Sequence, residues 1–254
     1  MEFWDGATAL LALAALAAGF VDSIAGGGGL LLLPALLSTG MPPHIALGTN
    51  KLVGTFGTFS ASLTFIRKGL FQPSSWWSAT LGTLSGALSG TVLVYLVQAD
   101  FLKKFLPLAV LLASLYLVWP RRNQPADSPS DGFRPTSRSQ WLAGSSIGFY
   151  DGFIGPGTGA FWMAVGLKAF RQDLVRAAGI ARFMNFISNV TAMVTFMLLG
   201  SVDYRLGLML GILLMCGAFI GAHSAIRYGS AFIRPIFIGV VLIMAARLLL
   251  LEFP

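Results

Sequence analysis

The stretch GFVDSIAGGGG, residues 19–29, decides the fold because a close copy, GFYDGFIGPGT, occupies residues 148–158. Each copy places an aspartate, Asp22 or Asp151, shortly before a glycine run. Glycine runs disfavour a regular helix, since glycine loses more conformational freedom than any other residue when it is fixed in one. A repeated motif of this kind predicts a duplicated chain in which each half contains one broken helix.

A second pair of matching segments extends the repeat. ALGTNKLVGTFGTFSASLTF, residues 46–65, aligns with AAGIARFMNFISNVTAMVTF, residues 177–196, and places Lys51 opposite Arg182. Between the halves, the segment PRRNQPADSPSDGFRPTSRSQ is rich in proline, serine and charge, and is too polar to lie in lipid. We therefore expect a first repeat, a polar linker and a second repeat, at residues 1–119, 120–140 and 141–254.

The composition is that of a membrane protein. Hydrophobic residues make up 56% of the 254 residues and charged residues only 11%, against roughly a quarter charged in soluble domains. Several apolar runs approach the roughly 20 residues that cross a hydrocarbon core. They lie at residues 7–25, 46–66, 76–97, 104–119, 142–154, 177–198, 206–226 and 235–251. The chain is thus predicted to be an all-α, multi-pass integral membrane protein of the bacterial inner (cell) membrane. The start, MEFWDG, lacks the basic residues of a signal peptide, so we expect no cleavage.

The formal net charge of +7 raises the alternative of nucleic-acid binding. That function needs basic residues on one exposed surface, whereas here they lie between apolar runs. The preference of lysine and arginine for the cytoplasmic side of a membrane explains them better. We therefore expect the lipid bilayer as a partner, and no nucleic acid.

The same basic residues indicate how the two repeats are oriented. If each glycine-broken segment, 6–39 and 140–168, is a re-entrant helix hairpin followed by three transmembrane helices, the repeats are inverted. One side then carries eleven basic residues, at Arg67, Lys68, Arg121, Arg122, Arg134, Arg138, Lys168, Arg171, Arg176, Arg227 and Arg234. The other carries only Lys103, Lys104, Arg205 and Arg247. If each segment crosses once, the repeats are parallel and the sides hold eight and seven. We therefore expect inverted repeats, a cytoplasmic linker and external termini.

The paired breaks predict a cavity, because non-helical backbone at membrane depth survives only where protein or water surrounds it. Inverted repeats with discontinuous helices are typical of transporters, in which half-helix N-termini direct backbone N–H groups at an anion. Thr158 adds a hydroxyl donor to the second break. The alternative is that the glycines only permit close helix packing. We favour that interpretation for two other pairs, Gly86/Gly90 and Gly217/Gly221.

Lys51 and Arg182 are the most informative charges, because each lies inside an apolar run, where a cation is costly unless it is paired or hydrated. Asn185 and Asn189 follow Arg182 on the same helical face, as Gly54 and Thr58 follow Lys51. These two faces are candidates to line an anion path. The alternative is that both cations extend to the membrane interface.

The two aspartates of the motif have three candidate roles. Asp22 or Asp151 can pair with Lys51 or Arg182, cap the returning half-helix, or carry a coupling proton. We favour structural pairing. No metal or other cofactor is expected from the two isolated histidines and the single cysteine, Cys216, which we expect to be packed. The scarcity of catalytic side chains also argues against an enzyme.

The two motifs resemble the TauE/SafE family of sulfite and organosulfonate exporters, also called the 4-toluene sulfonate uptake permease family. The resemblance rests on GFVDSIAGGGGLLLLPALLSTGMPP from Gly19, ALGTNKL from Ala46 and GFYDGFIGPGTGAF from Gly148. It implies a secondary carrier that exports a small sulfur-containing anion. By motif, with the two asparagines of the polar face added, the candidate site comprises Gly26, Gly27, Gly28, Gly29, Asn50, Lys51, Gly155, Gly157, Thr158, Gly159, Arg182, Asn185 and Asn189. Ala181 stands where the first copy has Asn50, so we expect an asymmetric site.

Other functions stay open on the sequence alone. The chain could instead transport another small solute or ion, or serve as a non-transporting membrane scaffold. A homo-oligomer is also left open. In each case the central question is whether the two glycine breaks enclose a polar cavity or are filled by neighbouring side chains.

Overall fold

The structure is a computed structural model that describes residues 6–106, 108 and 135–252. Within those ranges the chain is all-helical and contains no β-strand, as the sequence predicts. The helices, in chain order, are α1 Gly6–Ala25, α2 Gly28–Ser38, α3 Pro43–Arg67, α4 Trp77–Leu96, α5 99–106, α6 Ser137–Phe153, α7 Thr158–Lys168, α8 Leu174–Leu198 and α9 Tyr204–Glu252. A short 3₁₀ helix, Pro73–Trp76, precedes α4.

The helix bounds follow the apolar runs closely. The predicted helix at 104–119 and the predicted linker at 120–140 fall largely outside the described residues, but α6 already begins at Ser137. α9 covers two of the runs and is divided by Gly229, whose backbone angles (φ 61°, ψ −152°) are not helical.

The molecule has an apolar outer surface and carries charge in its interior. Two helical segments among the described residues are long and apolar enough to cross a membrane, Pro73–Leu96 and Tyr204–Gly229. Large apolar side chains such as Leu96 and Leu198 are exposed, at 72% and 84%, whereas Lys51 is almost fully buried. Such an arrangement suits a protein whose surroundings are hydrocarbon rather than water.

Each half of the sequence starts with two helices that are joined at a glycine break and contact each other. A Cβ atom placed on Gly28, at the start of α2, would lie 2.8 Å from the carbonyl oxygen of Ala18 in α1. In the second repeat, the rings of Tyr150 in α6 and Phe161 in α7 lie 5.0 Å apart between centroids. The glycine breaks between these helices therefore act as turns.

Two helix crossings bring backbones into direct contact. A Cβ atom on Gly86 of α4 would lie 2.2 Å from the Ser145 carbonyl oxygen of α6. One on Gly217 of α9 would lie 2.0 Å from the Leu16 carbonyl oxygen of α1. Neither crossing has room for a side chain, so the close packing predicted for these glycine pairs is confirmed.

The direction of the central helices can be read from their contacts. Going along α3, Gly48 packs near Ser201, Gly54 against Asn189 and Phe65 against Gly179, so α3 and α8 run antiparallel. By contrast α3 and α9 run parallel, because Leu52 contacts Gly207 and Gly57 contacts Leu214.

The helices form two bundles, and each bundle contains one helix from the other half of the sequence. The first bundle contains α1, α2, α3 and α9, and the second contains α4, α6, α7 and α8. α3 and α8 form the main contact between them. The two sequence halves are therefore interleaved, and α4 and α9 are the exchanged helices.

Candidate functional site

The two glycine breaks meet at the centre of the molecule. A Cβ atom on Gly26 would lie 2.4 Å from the carbonyl carbon of Gly159, closer than real Cβ atoms approach other atoms. Gly26 also has a positive φ of 84°, as does Gly155 at 93°. Only glycine combines that backbone conformation with so close a backbone approach. Both helices that begin here, α2 and α7, thus have their N-terminal ends at one place.

Asp22 joins the first break to the second bundle. Its Oδ1 accepts a hydrogen bond of 2.9 Å from the backbone N–H of Gly28, the first residue of α2. Its Oδ2 lies 3.3 Å from Nη1 of Arg182 in α8. Nη1 also donates to the backbone carbonyl oxygen of Asp22. Asp22 therefore both caps the returning helix and pairs with a cation, two of the roles expected for it.

Lys51 and Asp151 form the second buried ion pair. Nζ of Lys51, in α3, lies 2.7 Å from Oδ1 of Asp151, in α6, and both side chains are 2% exposed. The hydroxyl group of Thr158, at the start of α7, lies 2.8 Å from the same oxygen. A second acceptor, the Gly155 carbonyl oxygen, lies 2.6 Å from that hydroxyl group, which has one proton to donate. The second break is thus tied to the first bundle by Lys51.

The pairing is crossed between the two bundles. The carboxylate of each broken segment binds the cation from the other half, so that Asp22 pairs with Arg182 and Asp151 with Lys51. Breaking a buried pair by removing one partner costs about 3–5 kcal/mol, because a lone charge is left behind. The expected structural pairing is therefore present. The alternative that both cations extend to the membrane interface is wrong, since Lys51 and Arg182 are almost completely buried.

Three polar groups of these pairs keep hydrogen-bonding capacity. Oδ2 of Asp151, and Nε and Nη2 of Arg182, are buried and have no hydrogen-bond partner among the described residues. Buried groups of this kind are uncommon, because each one forgoes its interaction with water. One free acceptor and two free donors thus lie within the crossed pairs.

A small cavity of about 30 Å³ lies between the breaks. That volume holds about two or three water molecules, since one needs about 10–15 Å³ on the same measure. Of the residues that the sequence marked as candidates, its lining includes Asp22, Gly26, Gly28, Gly29, Asn50, Lys51, Asp151, Gly155, Gly157, Thr158, Asn185 and Asn189. The predicted cavity is present, and its walls are about half polar and half apolar.

Three predicted site residues lie outside that lining. Gly27 precedes α2 as its N-cap residue. Gly159 is placed behind the cavity, where its missing Cβ atom leaves room for Gly26 and for the guanidinium group of Arg182. Arg182 itself lies behind Asp22 and is 0% exposed. The interpretation that the glycines permit close packing is therefore right for Gly26 and Gly159, although the breaks also enclose a cavity.

Sequence reasoning missed two apolar residues of the lining. Leu32 and Leu214 contribute to the cavity wall together with Gly54. Gly54 belongs to the polar face that follows Lys51, and its small size admits Asn189, whose Nδ2 would lie 3.2 Å from a Cβ at that position. No signal marks the two leucines, because their runs contain many similar residues.

Comparison with known proteins gives a consistent result. The sequence model of the family described as "Sulfite exporter TauE/SafE" matches residues 11–248. The chain is 38% identical over 241 residues to "Probable membrane transporter protein ORF9" of Sinorhizobium sp., covering 95% of this chain and 92% of that protein. It is 36% identical over 246 residues to "Probable membrane transporter protein YfcA" of Escherichia coli strain K12, covering 94% and 88%.

A more distant relative is "Probable membrane transporter protein YunE" of Bacillus subtilis strain 168, 26% identical over 224 residues, which cover 79% of this chain and 82% of that protein. No solved structure matches the chain. All of these names are names of transporters and not of enzymes. From the family match over nearly its whole length and from these relatives, the chain belongs to the TauE/SafE sulfite exporter family.

Proposed function

We propose that this membrane transporter exports a small sulfur-containing anion, sulfite or an organosulfonate, by alternating access. The observation that carries the proposal is the meeting of two broken helices beside two buried cations, Lys51 and Arg182. A sulfonate group offers three acceptor oxygens and a permanent negative charge. It is complementary to backbone N–H groups at the starts of α2 and α7, the Thr158 hydroxyl group and charged donors.

The cavity size supports a closed conformation between two open ones. About 30 Å³ is too small for a sulfonate together with its carbon substituent. Substrate must therefore enter when the two bundles move apart. The moving bodies in this proposal are the bundles rather than the sequence halves, because α4 and α9 are exchanged between the halves.

The crossed ion pairs connect these two bodies. Each pair joins one residue of the first bundle to one of the second, as Lys51 does to Asp151. When the bundles separate, each cation loses its carboxylate partner, and an entering anion can replace it. The substrate then compensates the charge that separation exposes, which makes opening and binding favour one another.

The charge count of the site restricts the coupling mechanism. Two cations face two carboxylates, so one bound anion leaves the site with an uncompensated negative charge unless a proton accompanies it. Asp151 is better suited than Asp22 to accept that proton, because its Oδ2 is unpartnered whereas both oxygens of Asp22 are engaged. Outward movement of a monovalent anion alone is favoured by roughly 2.3 kcal/mol per 100 mV of interior-negative potential, whereas movement of that anion together with one proton is electrically neutral and is not favoured.

The antiparallel packing of α3 on α8 supports inverted repeats, since these are the matching 25-residue helices of the two halves. In the proposed topology the protein lies in the bacterial inner membrane, and each repeat contributes a re-entrant hairpin and three transmembrane helices. The linker at 120–140 is cytoplasmic, and both termini are external. The excess of lysine and arginine on the linker side supports this orientation.

The direct test is flux in proteoliposomes. Purified protein should export preloaded sulfite or sulfoacetate, and Lys51→Ala or Arg182→Ala should abolish this flux. Lys103→Ala is the matched control, because Lys103 is an exposed cation whose carboxylate partner, Asp100, is exposed as well. Unchanged flux in both site variants would show that the site is wrongly assigned. With a substrate that carries one negative charge, such as methanesulfonate, clamping the membrane potential with valinomycin separates the mechanisms, since a flux that does not change with the potential indicates that one proton accompanies each anion.

A substrate panel separates the proposal from the other functions. Sulfite, organosulfonates, sulfate, carboxylates and monovalent cations are compared for flux and for thermal stabilisation. Stabilisation by cations alone would favour a different solute. A scaffold is tested by cysteine scanning of residues 24–34 in a Cys216→Ser background, where complete protection from a water-soluble thiol reagent would indicate packed helices without an access path.

A further inference from the structure

A second cavity, separate from the central site, opens on the outer surface between α3 and α9. Its volume is about 860 Å³, which lies within the range of about 300–1,000 Å³ that small-molecule sites occupy. Its walls are mainly apolar and come from Phe59, Leu63, Met215, Phe219 and Ile220. Phe219 and Ile220 are each 54% exposed, so the apolar wall is open to the surroundings.

One end of this cleft is basic. α3 and α9 run parallel, so Arg67 and Lys68 at the end of α3 lie level with His223 of α9, and all three contribute to the lining. Arg67 and Lys68 are exposed and form no ion pair with a described carboxylate. The lining contains no acidic residue. Arg227 follows one turn after His223 and is exposed as well. No carboxylate among residues 6–106 and 135–252 therefore compensates the positive charge at this end.

We propose that this cleft binds an anionic phospholipid, with the phosphate group against Arg67 and Lys68 and an acyl chain along the apolar wall. The combination of an uncompensated cationic mouth with a long hydrocarbon-lined body fits a molecule that has both parts. A soluble anion would leave Phe59, Phe219 and Ile220 exposed. A second copy of the chain docked about a two-fold axis here would bring an identical cationic end into the interface. This inference does not depend on the transported substrate.

The only cysteine of the chain gives a direct probe, because Cys216 lines the cleft and is exposed. The prediction that Cys216 is packed inside the protein is therefore wrong, because its side chain is exposed. The rate of its alkylation by N-ethylmaleimide is followed by intact-protein mass spectrometry in neutral detergent micelles, with increasing mole fractions of phosphatidylglycerol or phosphatidylcholine. We expect phosphatidylglycerol to slow alkylation several-fold at mole fractions where phosphatidylcholine has no effect.

Variants and a soluble headgroup make the test specific. Arg67→Gln and Lys68→Gln should each raise the mole fraction for half-protection about fivefold, while the control Lys103→Gln leaves it unchanged. Equal protection by the two lipids, or protection that persists in the Arg67→Gln/Lys68→Gln double variant, would overturn the proposal. So would protection by sn-glycerol 3-phosphate, which carries the headgroup phosphate without acyl chains, because it would indicate a site for a soluble anion.

Discussion

Neutralising the Lys51–Asp151 pair one residue at a time, and then both together, separates its structural role from its role in transport. The charged atoms are 2.7 Å apart and both side chains are 2% exposed. At that distance the attraction is about 6 kcal/mol for an effective dielectric constant of about 20. It is offset by a desolvation cost of several kcal/mol for each ion. The net contribution of the pair to stability is therefore small, although the loss of one partner is costly.

The expected magnitudes follow from this difference. Lys51→Met or Asp151→Asn alone leaves a buried lone charge and should lower the free energy of unfolding by about 3–5 kcal/mol. The double variant Lys51→Met/Asp151→Asn has no lone charge and should unfold within about 1 kcal/mol of the natural protein. At about 2–4 °C per kcal/mol, each single variant should unfold about 6–20 °C earlier. Lys103→Met, from an exposed pair, should leave the unfolding temperature unchanged.

Thermal unfolding in detergent and flux in proteoliposomes are measured on the same preparations. If Lys51 binds the transported anion, the double variant regains stability and still transports nothing. A double variant that transports at the natural rate would refute the reasoning, since the pair would then be structural only. Single variants as stable as the natural protein would refute the burial and pairing on which the magnitudes depend.

The other predictions concern the glycine breaks, the hydroxyl donor and the helix crossings. Gly26→Ala should abolish flux and destabilise the fold, because its Cβ would collide with Gly159. Gly40→Ala is the control: Gly40 has a similar positive φ but no atom within 4 Å, so this variant should lose only about 1–2 kcal/mol of stability. Normal flux in Gly26→Ala would contradict the contact between the two breaks. Thr158→Val should weaken substrate affinity in a flux titration while Thr158→Ser retains it, and equal loss in both would indicate a packing effect. Gly86→Leu should prevent α4 from packing on α6 and give aggregated protein in size-exclusion chromatography, and a monodisperse, active variant would disprove that crossing.

The sequence predicts much of this fold because its signals are local. Each glycine run marks a break, and the polar residues Lys51 and Arg182 stand out because they interrupt apolar runs. The positions of α3 and α8 follow from the lengths of those runs. The cavity at the breaks is likewise predictable, because unpaired backbone groups at that depth need polar surroundings.

The long-range arrangement is not predictable in the same way. Which carboxylate binds which cation depends on how the two bundles come together, and neither Asp22 nor Asp151 carries a local sign of its partner. The exchange of α4 and α9 depends on complementary glycine surfaces such as those of Gly86 and Gly217, which the sequence marks as packing sites without naming the opposite helix. The role of Leu214 in the cavity wall is equally unpredictable, since only the tertiary arrangement brings α9 to the cavity.

The exchanged helices also constrain how the protein is made. A ribosome that has completed α1 to α3 has not yet produced α9, which begins at Tyr204 and must pack against the face of α1 that contains Gly19. In the same way, α4 cannot pack against α6 until α6 has been synthesised. The second bundle is complete only when α8 ends at Leu198, and the first only when α9 has been inserted, so a nascent chain stopped before Tyr204 would expose to lipid the surface of α1 that α9 covers. Folding of this protein is therefore completed late in its synthesis, and not one half after the other.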